Sequence, residues 1–274
     1  AIRGGLAEGV DTIEVWNNFL QAPGQVIIFQ LIAILITMAA IWKGAKAIEK
    51  TNVLLMTSLF VLLFLALFLS FVMDFEDGTL DGFVYMFSIQ PEYLMEPETW
   101  INGLSQSAWS CSAGMGMAIT YSVYMRKDED TTLNAATMCL ANNSISIIAG
   151  LTVMMAVFAV VDDPLSAVGG GSSAITFLVL PEVFAQAPGG PAIQLLMVAV
   201  FFLALSFAAL TSMISTVELC VRNFVDHGID RSQAVGFTAA AIFLFGLPSA
   251  VLWIMVDDST GVAFPQFLEV QDHI

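Results

Sequence analysis

The stretch that decides the fold runs from Trp100 to Tyr124 and reads WINGLSQSAWSCSAGMGMAITYSVY. It is apolar and long enough to cross a bilayer, which takes roughly 20 residues. Its centre holds small polar residues and then Gly114 and Gly116, where the backbone can leave helical geometry at little steric cost. A helix broken at membrane depth persists only where its freed backbone groups are buried in protein or line a cavity. The stretch therefore predicts a discontinuous transmembrane helix over 100–124, with a binding site at the break and the two glycines as its hinge. A glycine pair also serves close helix packing, and the residues of this stretch alone leave both roles open.

The composition places the whole chain in a membrane. Of its 274 residues, 58% are hydrophobic and only 12% are charged, and the mean hydropathy is +0.83. A soluble core cannot hide that much apolar surface. The sequence predicts an all-α polytopic membrane protein of about six transmembrane helices. Their predicted positions are 24–45, 50–73, 100–124, 132–161, 192–223 and 232–256.

The basic residues orient these helices. Seven of the eight Lys and Arg residues fall in three short loops, namely Lys43, Lys46 and Lys50, then Arg126 and Lys127, then Arg222 and Arg231. Loops rich in Lys and Arg face the cytoplasm. The alternate loops are acidic and are predicted to face outward. The pattern is that of a multi-pass protein of the cytoplasmic membrane.

Two outer segments are predicted to be folded and not to be flexible linkers. The aromatic residues of 74–98 favour a folded cap. Residues 163–190 contain a run that is too short to span, and we interpret them as a helical hairpin lying over the outer mouth as a lid. Their glycines could serve as lid hinges, although ordinary loop chemistry explains them equally well. The residues before Pro23 are interpreted as an outer loop, and the chain as part of something longer.

Two predicted helices carry matching polar stripes. Gln106 and Ser110 are one helical turn apart, and Asn142 and Ser146 repeat that spacing. Polar side chains in hydrocarbon need partners, so these residues either bond to one another between helices or surround small ions. The residues alone leave both interpretations open.

A third polar group lies within 192–223. Ala208, Thr211 and Ser212 place a backbone carbonyl and two hydroxyls on one face within a turn. Hard cations are held by several such oxygens, but Thr and Ser in membrane helices also bond back to the preceding turn. Glu218 is the only acid well inside a predicted span, so we expect it to face a cavity or a partner, with the cytoplasmic pathway as one place for it.

Two longer segments carry a resemblance to a known family. Residues 106–116 and 121–130 closely resemble the sixth helix and following loop of the neurotransmitter:sodium symporter family. Residues 207–212 look like its eighth helix, and 178–186 look like its extracellular lid. The resemblance implies that 1–274 is a partial transporter domain covering helices four to nine of the inverted-repeat, leucine-transporter-like fold. Helices one to three and ten onward of the same transporter would then be its partners.

The resemblance also implies a set of sites. The carbonyls of Trp109, Ser110 and Ser112 would receive an amino acid's ammonium group. The full substrate set would be Trp109, Ser110, Ser112, Met115, Ser212 and Thr216. One sodium ion would take oxygens from Ser110 and Asn142, and the other from Ala208, Thr211 and Ser212. The chloride pattern would be Gln106, Ser110, Asn142 and Ser146, because chloride-dependent relatives tend to carry a serine at the position of Ser146.

The function these features favour is sodium-coupled, chloride-sensitive symport of an amino acid or related amine by alternating access. Sodium, and chloride with it, would be the required ions, and the amino acid and the lipid bilayer the partners; no nucleic acid is expected. A non-transporting sensor, or an inert truncated copy of the fold, is the alternative. An enzyme is not expected, because the sequence holds no nucleophile–base pair, metal cluster or phosphate loop. A channel is disfavoured because the polar groups cluster at one depth.

Overall fold

The computed structural model of the chain describes residues 12–75, 80–159, 161, 163–165, 175–186, 190–251, 254–256 and 263–265. These residues are helical over most of their length, as predicted. The α-helices are α1 Thr12–Leu20, α2 Pro23–Ile41, α3 Ala45–Phe75, α4 Asp81–Phe87, α5 Pro97–Ser110, α6 Met117–Ser122, α7 Thr131–Phe158, α8 Leu180–Gln186, α9 Pro191–Asp226 and α10 Arg231–Val251. A 3₁₀ turn covers Pro91–Met95, a π turn covers Ile175–Val179, and two short strands are β1 Ile254–Val256 and β2 Ala263–Pro265.

Five of the helices in the described part of the chain are long and apolar enough to cross a membrane: Pro23–Ile41, Ala45–Val72, Thr131–Phe158, Pro191–Asp226 and Arg231–Ala250. The remaining predicted span, 100–124, is divided between α5 and α6, which have 14 and 6 residues. At 1.5 Å per residue neither piece alone reaches across a hydrocarbon core of about 30 Å. The prediction of a polytopic helical membrane protein with one discontinuous helix is confirmed.

Several helix limits differ from the predicted ones. Helix α2 ends at Ile41 because the chain turns at Gly44, whose φ is +81°. The left-handed conformation suits glycine, and it lets α3 begin at Ala45 instead of 50. The prediction that everything before Pro23 is loop was wrong over α1, which is helical.

The last helix is shorter than its predicted range of 232–256. It ends at Val251, and Ile254–Val256 forms strand β1, which pairs antiparallel with β2 so that Met255 lies opposite Phe264. Ile254 and Val256 are β-branched and favour an extended backbone. The apolar pattern that predicted a helix to 256 cannot by itself distinguish a short strand from a helix end.

The chain divides into two compact units, which are described separately: residues 1–62 with 160–274, and residues 63–159. In the first unit α2, α9 and α10 pack on one another. Their core is centred on Ile41, Ile214, Val221 and Val235, all fully or almost fully buried. Thr37 is equally buried and satisfies its hydroxyl by donating to the carbonyl of Ala33 at 2.9 Å.

In the second unit the outer cap packs against the end of α7. A Cβ atom at Gly82 of α4 would lie 2.6 Å from Cα of Met155, so only glycine permits this approach. Tyr85 and Phe158 bring their ring centroids to 4.8 Å beside it. The interpretation of 74–98 as a folded cap holds for its described residues, while 76–79 lie outside them.

Within the predicted lid at 163–190, the described residues Ile175–Val179 and Leu180–Gln186 are helical. Leu180, Val183 and Phe184 of α8 are buried. The π turn before α8 holds Phe177, whose ring stacks on Trp16 of α1 at 5.0 Å and on Phe202 of α9 at 6.2 Å. Of the predicted hinges, 169–171 and 188–189 lie outside the described residues, whereas Gly190 has a φ of +81° and caps α9. The opening of a lid stays a prediction.

Candidate functional site

The break between α5 and α6 is built by three left-handed residues. Ser112, Gly114 and Gly116 have φ angles of +53°, +79° and +78°. Gly114 and Gly116 are the predicted hinge, and they adopt the conformation for which glycine was singled out. Ser112 was not predicted to do so, because a residue with a Cβ atom rarely enters this region.

Ser112 is left-handed because it terminates α5. The N–H of Ala113 donates to the carbonyl of Ala108 at 2.9 Å, and the N–H of Ser112 donates to that of Trp109 at 3.0 Å. These two bonds form a Schellman motif, in which a left-handed residue follows the helix end. Because the helix stops here, α5 leaves carbonyl groups at the middle of the predicted span.

The three carbonyls predicted to receive an ammonium group are not equivalent. That of Ser112 accepts one backbone N–H, from Met115 at 3.2 Å, and that of Trp109 accepts two, from Cys111 and Ser112. The carbonyl of Ser110 accepts no backbone hydrogen bond from any described residue. A carbonyl oxygen has two lone pairs. The carbonyl of Ser110 therefore keeps its full accepting capacity and that of Ser112 keeps half, whereas that of Trp109 is already engaged by two donors.

Side chains join the break to α7. The Nδ2 of Asn142 donates to the Oγ of Ser110 at 2.6 Å. This geometry leaves the Oδ1 of Asn142 without a hydrogen-bond partner among the described residues, and it leaves the hydroxyl hydrogen of Ser110 free to donate. One pair thus presents an acceptor for a cation and a donor for an anion.

The other two residues of the predicted chloride set are placed less directly. Ser146 lies one turn beyond Asn142 and donates to that residue's backbone carbonyl at 3.0 Å. Its hydrogen is therefore directed into its own helix, and an anion would require the hydroxyl to rotate. Gln106 is exposed, and no hydrogen bond joins its side chain to Ser110, Asn142 or Ser146 within the part of the chain that the structure describes.

The third polar group lies on α9, in the other unit. The Oγ1 of Thr211 donates to the carbonyl of Ala208 at 2.8 Å, and that of Thr216 donates to the carbonyl of Ser212 at 3.0 Å. The back-bonding considered from the sequence is therefore present. It uses the hydroxyl hydrogens and leaves lone pairs on the oxygens of Thr211 and Thr216, so these hydroxyls can still accept a cation, whereas the carbonyl of Ala208 already accepts the Thr211 hydroxyl. Ser212 is exposed, and its hydroxyl has no partner among the described residues.

The partner of Glu218, which was not predicted from the sequence, is Arg231. This carboxylate is 0% exposed, and Arg231 donates to its two oxygens at 3.1 and 2.6 Å. Arg231 also donates to the carbonyl of Ile41 at 3.1 and 2.7 Å, and so joins α10 to α9 and to the end of α2. The expectation of a partner was correct. The signal that could have identified it is the position of Arg231, because this arginine is the first residue of α10, the helix that follows α9.

Comparisons with known proteins agree with this architecture. Residues 16–270 match the model of the Sodium:neurotransmitter symporter family. The uncharacterized sodium-dependent transporter YhdH of Bacillus subtilis is 28% identical over 247 residues, which are 89% of this chain and 52% of that protein. The human sodium- and chloride-dependent neutral and basic amino acid transporter B(0+) is 27% identical, over 83% of this chain and 37% of its own length.

A solved structure is also similar. The crystal structure of MhsT in complex with L-phenylalanine matches with a TM-score of 0.74 and 29% identity, covering 90% of this chain and 54% of that one. The chain spans about half the length of the curated relatives that it matches. The matching family consists of secondary transporters and not of enzymes, and its members are multi-pass proteins of the cell membrane. This chain belongs to the sodium:neurotransmitter symporter family.

Proposed function

We propose that the chain forms part of a symporter that uses sodium to carry an amino acid or a related amine across the cytoplasmic membrane by alternating access. The observation that carries the proposal is the break between α5 and α6, where the Ser110 carbonyl is left open and its side chain is bonded to Asn142. Exposed backbone dipoles at membrane depth are expensive unless a solute or another part of the protein satisfies them. A transported solute is such a partner.

The substrate site would use the open backbone of the break. The carbonyls of Trp109, Ser110 and Ser112 would accept hydrogen bonds from a primary ammonium group, with the Ser110 carbonyl contributing most. The wider set comprises Trp109, Ser110, Ser112, Met115, Ser212 and Thr216. An amino acid is supported by the relatives, since MhsT was crystallised with L-phenylalanine and B(0+) is described as carrying neutral and basic amino acids.

Two sodium ions would complete the scheme as cargo that drives uptake. Ser110 and the free Oδ1 of Asn142 would ligate one of them. The carbonyl of Ala208 with the hydroxyl oxygens of Thr211 and Ser212 would ligate the other. Neutral oxygens that replace a hydration shell are what a hard cation requires, and the back-bonded hydroxyl of Thr211 already directs lone pairs away from its helix.

Chloride would bind through Gln106, Ser110, Asn142 and Ser146. The hydroxyl hydrogen of Ser110 is available for it, whereas Ser146 would have to break its bond to the Asn142 carbonyl. An anion placed beside the sodium ion of Asn142 would offset its charge at low dielectric. We therefore propose that uptake depends on chloride as well as on sodium.

The test is uptake of labelled amino acids by proteoliposomes that contain the intact gene product, with sodium present or replaced by choline. We expect sodium-dependent accumulation against a gradient. Asn142→Ala should raise the sodium concentration for half-maximal uptake at least about tenfold, since a polar contact to a charged group contributes about 1.5–3 kcal/mol. Asn143→Ala is the matched control, because Asn143 is the exposed neighbour of the same chemistry on α7.

The alternatives give different results. Sodium-dependent binding without flux would indicate a sensor, and neither binding nor flux would indicate an inert copy of the fold. If Asn142→Ala and Asn143→Ala changed the sodium dependence equally, the assignment of Asn142 as a sodium ligand would be wrong even if transport itself were present.

A further inference from the structure

Three lysines cluster at the turn between α2 and α3. Lys43 lies in the turn, and Lys46 and Lys50 lie one helical turn apart on the first turns of α3, with Cβ atoms about 6 Å apart. All three side chains are exposed. Ile48 between them is 3% exposed, so the opposite side of α3 faces the core. The three lysines, Lys43, Lys46 and Lys50, are called the lysine surface below.

The lysine surface differs from the described arginines in its charge balance. Each arginine from 126 to 231 forms an ion pair: Arg126 with Asp128 and Glu129, Arg222 with Asp226, and Arg231 with Glu218. Among the described residues no carboxylate lies within ion-pair distance of the three lysines. The chain as a whole carries a net charge of −16, so a turn with a positive excess departs from its overall balance. With Glu49 the segment from 43 to 50 holds three positive charges and one negative, a local excess of two.

The backbone that carries the lysine surface is held firmly. The carbonyl of Ile41 accepts from the N–H of Gly44 at 3.0 Å as well as from two nitrogens of Arg231. Trp42, next to Lys43, is 52% exposed at the end of a membrane-length helix. Tryptophan side chains in this position lie at the level of lipid headgroups, and basic loops lie on the cytoplasmic side.

We propose that the lysine surface binds the headgroups of anionic phospholipids in the cytoplasmic leaflet. The charge is complementary, the lysines are free to bind, and Trp42 sets them at the depth of the phosphates. Three separate lysines spread over two turns suit several lipid phosphates of a crowded leaflet better than one free anion. Juxtamembrane lysines are attracted to such a surface, each strengthening binding about fivefold. This inference does not depend on transport activity.

The test is native mass spectrometry of the intact gene product, competing phosphatidylglycerol against phosphatidylcholine for retention. The triple variant K43Q/K46Q/K50Q should lower the apparent affinity for phosphatidylglycerol at least about tenfold. K127Q removes an exposed lysine from a loop that also carries Asp128, Glu129 and Asp130 and has no local positive excess, so it should change the affinity less than about twofold. E49Q should strengthen it, because it removes the one negative charge of the segment.

Further arms distinguish the source of the anion and guard against misfolding. K43R/K46R/K50R keeps the charge and should keep the preference. For the unaltered protein, retention of phosphatidylglycerol should weaken as salt rises, a measurement that needs no variant. Equal loss in K127Q and the triple variant, or no salt dependence, would overturn the proposal. Displacement of the lipid by millimolar inorganic phosphate would assign the surface to a free anion and overturn it too.

Discussion

Breaking the ion pair between Arg231 and Glu218 by removing one partner is expected to destabilise the protein strongly, because Glu218 is fully buried. The perturbation we choose is Arg231→Met, which keeps side-chain length and removes the guanidinium. It deprives a carboxylate that is 0% exposed of a bidentate partner, and it removes two hydrogen bonds from the carbonyl of Ile41.

The expected loss follows from burial. Removing one member of a buried pair typically costs about 3–5 kcal/mol, because the remaining charge stays desolvated. For a chain of this size each kcal/mol lowers Tm by about 2–4 °C, so the expected drop is about 6–20 °C. Arg231 is 24% exposed and keeps its bonds to Ile41, so Glu218→Leu should cost less than Arg231→Met. The double variant Glu218→Leu/Arg231→Met should recover much of the loss, since an apolar pair needs no counter-charge.

Thermal unfolding of the purified protein in one detergent, followed by fluorescence-detected gel filtration at a fixed heating rate, measures these shifts. Arg126→Gln is the control, because it removes a charge whose side chain is 78% exposed and whose partners are 3.6 and 3.9 Å away. Exposed pairs of this kind contribute at most about 1 kcal/mol. A Tm for Arg231→Met within the range of the control, or a double variant as unstable as the sum of the single ones, would refute the reasoning.

Three further predictions concern the second unit. Gly82→Ala should cost about 1–3 kcal/mol in thermal stability by overpacking against the backbone of the facing helix, whereas Gly103→Ala, which meets nothing within 4 Å, should stabilise by up to about 1 kcal/mol; equal shifts would contradict the close approach. Gly114→Ala also meets nothing within 4 Å, yet its φ of +79° should make it destabilising by about 1–2 kcal/mol, and a stabilising effect would show that the break does not need a left-handed residue. Ser146→Ala should weaken the chloride dependence of uptake measured with gluconate replacement, while Ser144→Ala, which removes an equally back-bonded hydroxyl from α7, should not; an equal change in both variants would count against Ser146 as a chloride ligand.

Local chemistry explains why the broken helix was predictable. Hydropathy over roughly 20 residues identifies a span, and glycines at its centre mark where helical geometry can end. Both signals lie within one short segment, so they can be recognised without knowing which helices pack beside it. The left-handed Ser112 was not predictable, because the Schellman bonds that hold it depend on where α5 stops.

Partners distant along the chain could not be read in the same way. A carboxylate in an apolar span needs a partner, so the sequence predicted one for Glu218. It did not identify which arginine this partner is. The packing of α2, α9 and α10 selected Arg231 and added the carbonyl of Ile41. Helix packing also determines two other contacts that the sequence did not predict. These are the stacking of Phe177 between Trp16 and Phe202 and the close approach of Gly82 to Met155.

By itself, then, the sequence determined the membrane class, the helical architecture, the position of the break and the polar stripes beside it. These properties follow from hydropathy and from spacings of three or four residues, which a single helix already obeys. Tertiary structure alone decided that Asn142 reaches Ser110, that Arg231 neutralises Glu218, and that Ile254–Val256 forms a strand. The physical reason is that hydrogen bonds and ion pairs require atoms within about 3–4 Å, and only the packing of whole helices brings such atoms together.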